Sequence, residues 1–108
     1  MATKISMDDL FSVFQNLPKN SAIIDIRTQE EYSEGHVPGA QNIPVDQIAQ
    51  HTADLKKYDQ IYLYCRSGGR VSVATQILES QGLSNVSSVL SGGFPNWAAR
   101  GYDTAFED

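Results

Sequence analysis

Ile61-Tyr62-Leu63-Tyr64-Cys65-Arg66-Ser67-Gly68-Gly69-Arg70 is the stretch on which the fold turns. Its first four residues are β-branched, aromatic or aliphatic, the make-up of a short strand buried on both faces. The chain then enters a glycine-rich turn, after which Val71, Ala74, Ile77 and Leu78 recur at helical spacing until Gly82 ends the segment. A strand that feeds a helix through a tight loop is one half of a parallel crossover.

The flanks repeat the pattern. Upstream, Ala22-Ile23-Ile24-Asp25-Ile26 reads as a second buried strand, and downstream Val86 to Leu90 reads as a third. Ser6-Met7-Asp8-Asp9 is a helix start, a hydroxyl cap with a carboxylate three residues on, and Met7, Leu10, Phe11, Phe14 and Leu17 follow at helical spacing up to Pro18. Thr28-Gln29-Glu30-Glu31 repeats the cap and opens a brief helix ended by Gly35. Val37 to Gln41 is a turn, Ile43 a candidate short strand, and Val45 to about Gln50 a further helix. Ser91-Gly92-Gly93 leads into a last helix with Pro95 near its start and Trp97 within it. Strands alternating with helices predict an α/β sheet with helices on both faces. Ligands bind such sheets beyond the carboxyl ends of the strands, which is where Cys65 falls.

The totals narrow the function. The 108 residues, 41% hydrophobic, suit one domain spanning 1–108 that folds without a metal or disulfide staple. Thirteen acidic against eight basic residues give a net charge of −5, which argues against nucleic acid or an anionic membrane as partner and leaves room for a small basic pocket. With one cysteine there is no internal disulfide and no Cys/His metal cage, and nothing suggests a nucleotide, flavin or other cofactor. The opening residues lack a signal peptide's apolar run, and no stretch approaches the ~20 apolar residues of a membrane span, so the expected location is cytoplasmic. Asn85-Val86-Ser87 matches a glycosylation pattern that carries no weight without a secretory signal.

A lone cysteine is by default a buried core residue. The loop around Cys65 argues otherwise. Gly68 and Gly69 free the backbone to curl its N–H groups inward as an anion cradle, the following helix adds its positive end, and Arg66 and Arg70 add full charges. An ordinary thiol of pKa about 8.5 is only a few per cent thiolate at neutral pH. Ionising it takes roughly 2 to 3 kcal/mol; a helix terminus supplies about 0.3 to 2 kcal/mol and a nearby cation about 1 to 3 pKa units. The same donors would hold the terminal sulfur of a persulfide. Without a second cysteine, that sulfur must pass to an outside nucleophile in two half-reactions.

The loop resembles the active-site loop of rhodanese domains. Ile24-Asp25-Ile26-Arg27, Glu30-Glu31-Tyr32 and Gly35-His36-Val37-Pro38-Gly39-Ala40 resemble the family's first signature, and Leu90-Ser91-Gly92-Gly93-Phe94 with Trp97 and Gly101 resembles its last. The resemblance covers almost the whole chain. It implies a three-layer sandwich around a mostly parallel sheet of about five strands, and Cys65 as persulfide carrier. It also implies that main-chain N–H groups from Arg66 through Ser67, Gly68 and Gly69 to Arg70 surround the sulfur. The activity implied is that of a thiosulfate sulfurtransferase, with a small sulfur donor and a cyanide or thiol acceptor. A thiol-bearing protein is the alternative acceptor. Ser67 stands where two-domain thiosulfate sulfurtransferases often carry lysine, so persulfide chemistry is better supported than thiosulfate itself.

The remaining polar residues are expected to support the site. Asp25 should fix neighbouring loops and Arg27 should pair with Glu30 or Glu31. His36 should hold a turn, His51 should be solvated, and Trp97 should lie in the core. Gly92 and Gly93 should let the chain turn beneath the cysteine loop. Arg66 and Arg70 are the two cations assigned to the substrate. Three rivals remain. A cysteine phosphatase or arsenate reductase generally needs arginine six positions after the cysteine, where this chain has Val71. A non-catalytic rhodanese-like binding module often lacks the cysteine. A sulfur-relay protein would use the same chemistry with a dedicated protein partner.

Overall fold

The structure is a computed structural model that describes residues 2–106. The expected 1–108 domain thus includes three positions, 1, 107 and 108, that lie outside the described residues. Strands β1 (Thr3–Ser6), β2 (Ser21–Asp25), β3 (Gln41–Asn42), β4 (Gln60–Tyr64) and β5 (Val86–Ser91) form one sheet in the order β1-β5-β4-β2-β3. Every pairing is parallel, with Ile23 opposite Tyr62 and Ile61 opposite Val86. Helices α1 (Met7–Gln15), α2 (Gln29–Ser33), α3 (Thr52–Leu55), α4 (Gly69–Ser80) and α5 (Phe94–Ala99) connect and cover it, with a 3-10 helix at Val45–His51.

Alternation along the strands splits the core into two layers. Ile24, Ile61 and Leu63 pack against Val71, Ala74 and Leu78 of α4. Their neighbours Ile23, Tyr62, Tyr64 and Val89 face the other way, onto Met7 and Leu10 of α1 and the fully buried Trp97 of α5. Ser6 and Thr28 each close a capping box, so both short helices start where a hydroxyl takes the N3 amide and the N3 carboxylate returns the bond.

Three segments depart from the expected elements. Strand β1 lies at an edge, pairing with β5 although Thr3-Lys4-Ile5-Ser6 offers one apolar side chain. Strand β3 falls at Gln41–Asn42, just before Ile43. The helix expected from Val45 is a 3-10 helix that runs to His51 and passes into α3; it follows Pro44 and has no side-chain cap. No helix among the described residues is long and apolar enough to cross a membrane.

The strand order also places the site. The chain leaves β2 towards β3 on one side and leaves β4 towards β5 on the other, so a crevice opens between the carboxyl ends of β2 and β4. Asp25 closes β2, and Cys65 follows β4.

Candidate active site

Cys65 is 1% exposed, at the floor of a loop that turns back over it. The Gly68 N–H donates to its Sγ at 3.1 Å. Among the described residues the amides of Arg66, Ser67, Gly69, Arg70 and Val71 have no acceptor. The turn requires glycine at residue 68: φ is +95°, and a Cβ there would sit 2.7 Å from the Leu90 carbonyl oxygen. From that point α4 begins, its N-cap the same Gly68 whose N–H donates to the sulfur.

Below the loop, the chain after β5 comes into backbone contact. A Cβ on Gly93 would strike the carbonyl oxygens of Arg66 and Cys65, and the Phe94 N–H donates to the Cys65 carbonyl at 2.9 Å. Gly92, at φ +78°, completes that turn, and the Gly93 N–H donates to Asn96 Oδ1 at 3.1 Å.

A buried ionic network ties the β2 end to the β4 end. Arg27 does not pair with Glu30 or Glu31 as expected. It turns back to Asp25, donating from Nε at 3.0 and 3.1 Å and from Nη2 at 2.7 Å. The strand's end makes this the shorter route, because the Asp25 carboxylate also accepts the Arg27 backbone N–H at 2.9 Å. The same Nη2 donates to the Gly35 carbonyl at 2.7 Å. The Tyr64 hydroxyl donates to Asp25 Oδ2 at 2.8 Å and accepts the Val37 N–H at 3.0 Å. Burial, reinforced by the Asp25 carboxylate, pushes the Tyr64 phenol far up, so it stays a donor. Burial alone would lower the Arg27 pKa, but the Asp25 pair raises it and the guanidinium stays charged.

Glu31 pairs with Arg70 instead, through contacts of 2.7 and 3.0 Å. That hydrogen-bonded guanidinium, helped by Thr28 against the opposing effect of burial, holds the Glu31 carboxyl at about 2, below the ordinary 4.5. The Arg70 side chain is therefore anchored on α2 by Glu31, which does most to raise its pKa, and Cys65 is near enough to add to that shift. Arg66 is exposed and has no side-chain partner among the described residues. His36 is buried, with Nδ1 2.8 Å from the Tyr32 carbonyl and its ring stacked on Tyr32 at 3.6 Å. His51 is partly exposed, 3.9 Å from the Asp54 carboxylate.

A cleft of about 230 Å³ opens beside the loop, lined by Arg27, Glu31, Glu34, Arg66, Phe94 and Pro95 among others. A larger cleft of about 700 Å³, bounded by Thr28, Tyr32, Asn42 and Asp46, lies away from the cysteine loop, so size does not mark the site. Tyr64, Phe94 and Asn42 were not singled out for the site from sequence. Phe94 lies under the Arg27 guanidinium at 4.4 Å, and Asn42 Nδ2 donates to the carbonyls of Asp25 and Arg27 at 3.0 and 2.9 Å. The aromatic after Gly92-Gly93 was the one signal pointing to Phe94.

Comparison with known proteins agrees with this geometry. The rhodanese-like domain model matches residues 12–100. The proposed sulfur carrier protein YrkF of Bacillus subtilis (strain 168) is 36% identical over 70 residues, which cover 65% of this chain and 38% of that protein. The chain thus spans well under half of that relative. Thiosulfate sulfurtransferase 16 of Arabidopsis thaliana, a chloroplastic protein, is 34% identical over 93 residues, covering 75% of this chain and 77% of its own. The solution structure of the rhodanese-like domain from the Anabaena protein Alr3790 superposes with a TM-score of 0.84 at 28% identity, covering 98% of this chain and 80% of that one.

Proposed function

The chain belongs to the rhodanese-like domain family, and from that membership we propose that it is a single-domain sulfurtransferase carrying sulfane sulfur as a persulfide on Cys65. Relatives named as a sulfurtransferase and as a proposed sulfur carrier support a role in sulfur transfer. The observation that carries the reading is the Gly68 N–H directed at Cys65 Sγ at 3.1 Å, in a loop whose other amides have no acceptor among the described residues. Such a concavity suits a negative sulfur, first the thiolate and then the outer atom of the persulfide.

In the first half-reaction the Cys65 thiolate attacks the outer sulfur of thiosulfate or a related donor. The donor's S–S bond breaks, and its electron pair leaves with sulfite. In the second, cyanide or a thiolate attacks the outer persulfide sulfur, and Cys65 departs as thiolate. Main-chain donors stabilise the anion at each stage, so the protein need not move a proton. The fully buried Val71 fills the position a phosphatase would give to arginine, and Arg70 is held by Glu31, so neither residue offers a phosphatase's clamp on a phosphoryl group. In the cytosol, where we place the domain, reductants keep a lone thiol free.

Mass spectrometry after incubation with thiosulfate tests the reading. Wild-type protein should gain one sulfur atom, and Cys65→Ser should gain none. Failure of Cys65 to accept sulfur from thiosulfate or from any persulfide donor would overturn it. The name of the Bacillus relative favours a second reading, a relay to a protein thiol. A Cys65 adduct formed from a cysteine-derived persulfide but not from thiosulfate would select it.

A further inference from the structure

We infer that the gap between strand β1 and helix α4 is a binding site for a small carboxylate with an apolar body, and that its occupant acts on the cysteine loop through Gly68. The inference goes beyond the sulfur-transfer reading, because neither the ligand nor its route to Gly68 depends on what Cys65 carries.

The register of the sheet sets Lys4 beside Ser88, whose hydroxyl meets Thr75 of α4. Lys4 therefore stands on the face that α4 covers. Alternation agrees: Ile5 packs into the layer around Trp97, whereas Ala2 packs into the layer around Val71 and Ala74. Strand β1 is the edge of the sheet, and a cleft of about 170 Å³ remains between it and the helix. Ser88 and Leu90 line this gap from β5, and Ser72, Thr75 and Gln76 line it from α4. The Thr75 and Ser88 hydroxyls lie 2.6 Å apart and satisfy each other, so the interior asks for little hydrogen bonding. Lys4 brings a cation to the rim, and its side chain has no partner among the described residues. Glu79, the acid at the same rim, accepts the Ala2 N–H at 2.8 Å. An apolar body against Ala2 and Leu90, with its carboxylate on Lys4, suits this arrangement.

Two of the lining residues hold Gly68, whose N–H donates to Cys65 Sγ. Leu90 abuts it, close enough that a Cβ on Gly68 would lie 2.7 Å from the Leu90 carbonyl oxygen. The Ser72 N–H donates to the Gly68 carbonyl at 3.0 Å. Gly68 is thus wedged between the end of β5 and the first turn of α4, which are also the walls of the gap. An occupant that parts those walls moves Gly68 and loosens its 3.1 Å contact with the sulfur. The cleft lined by Arg66 and Phe94 shares no residue with the gap, so the two can be probed separately.

Benzoate, titrated at constant ionic strength into the 15N-labelled chain, tests the inference. A Kd of about 1 mM is expected, with the Lys4, Ser72 and Leu90 amide resonances moving together with that of Gly68. At saturation the Gly68 N–H should exchange with solvent about fivefold faster. Lys4→Met, at an exposed position, should weaken binding about fivefold. Gln76→Phe places a ring in the gap from an exposed helical position and should abolish the benzoate shifts while the rest of the spectrum is kept. Shifts that persist unchanged in both variants, or saturation that leaves Gly68 unmoved, would overturn the inference. A Gly68 response to benzoate in a protein whose Cys65 takes no sulfur would leave the site standing and defeat the sulfur-transfer reading instead.

Discussion

Gly93 lies directly beneath Cys65, so close that a single methyl group at residue 93 would enter the carbonyl oxygens of Cys65 and Arg66. Its φ of −179° is open to any residue, so the demand for glycine here is one of space. Gly93→Ala is expected to cost about 2 kcal/mol of stability, read as a lower urea midpoint with unchanged slope. It should also slow persulfide formation on Cys65, because the displaced loop carries the Gly68 amide that donates to the sulfur.

The Glu31–Arg70 pair gives a pH signature. Its carboxyl is depressed to about 2 from 4.5. The pair therefore stabilises fully above the unfolded value and is lost as pH falls through the folded one. Both side chains are partly solvated, at 34% and 26%, so screening reduces the contribution to about 1 kcal/mol. Glu31→Gln retains the capping geometry and removes the charge. Between about pH 5 and pH 2, the wild-type Tm should fall further than that of the variant.

Tyr64→Phe removes the hydroxyl that joins Asp25 to the Val37 amide. It leaves a buried N–H without an acceptor, for a cost of about 1 to 3 kcal/mol by chemical denaturation. Asp25→Asn strands the charge of the nearly buried Arg27 and should cost more, about 3 to 5 kcal/mol.

Arg66→Ala should raise the apparent donor KM more than it lowers turnover, since the side chain has no partner among the described residues and reaches the cleft. Steady-state kinetics with KM unchanged would remove Arg66 from donor binding.

Much of this architecture was legible before the coordinates. Ile61–Tyr64, Ala22–Ile26 and the Val71-to-Leu78 helix announce themselves because burial on two faces leaves unbroken or periodic apolar runs. Strand β1 does not: Thr3-Lys4-Ile5-Ser6 is held by its place beside β5, a tertiary fact. The ionic pairing was misread for a similar reason. Glu30 and Glu31 are the acids nearest Arg27 in helical terms, yet Arg27 folds back on its own strand end and Glu31 reaches Arg70, 39 residues away. Sequence spacing ranks neighbours along an element, whereas the β2 and β4 ends meet only across the sheet.

The last third of the chain builds the floor and wall of a loop made long before it. Leu90 backs Gly68, and Gly93 and Phe94 support Cys65 from below. During synthesis the thiol therefore emerges ahead of the segment that shelters it, and domains of this kind close as units once their distant parts are present. A nascent or truncated chain ending before β5 would carry a cysteine without its cradle, open to oxidants and unable to hold a sulfur. On the proposed reading, competence for transfer waits on β5 and the Gly93 turn that follows it.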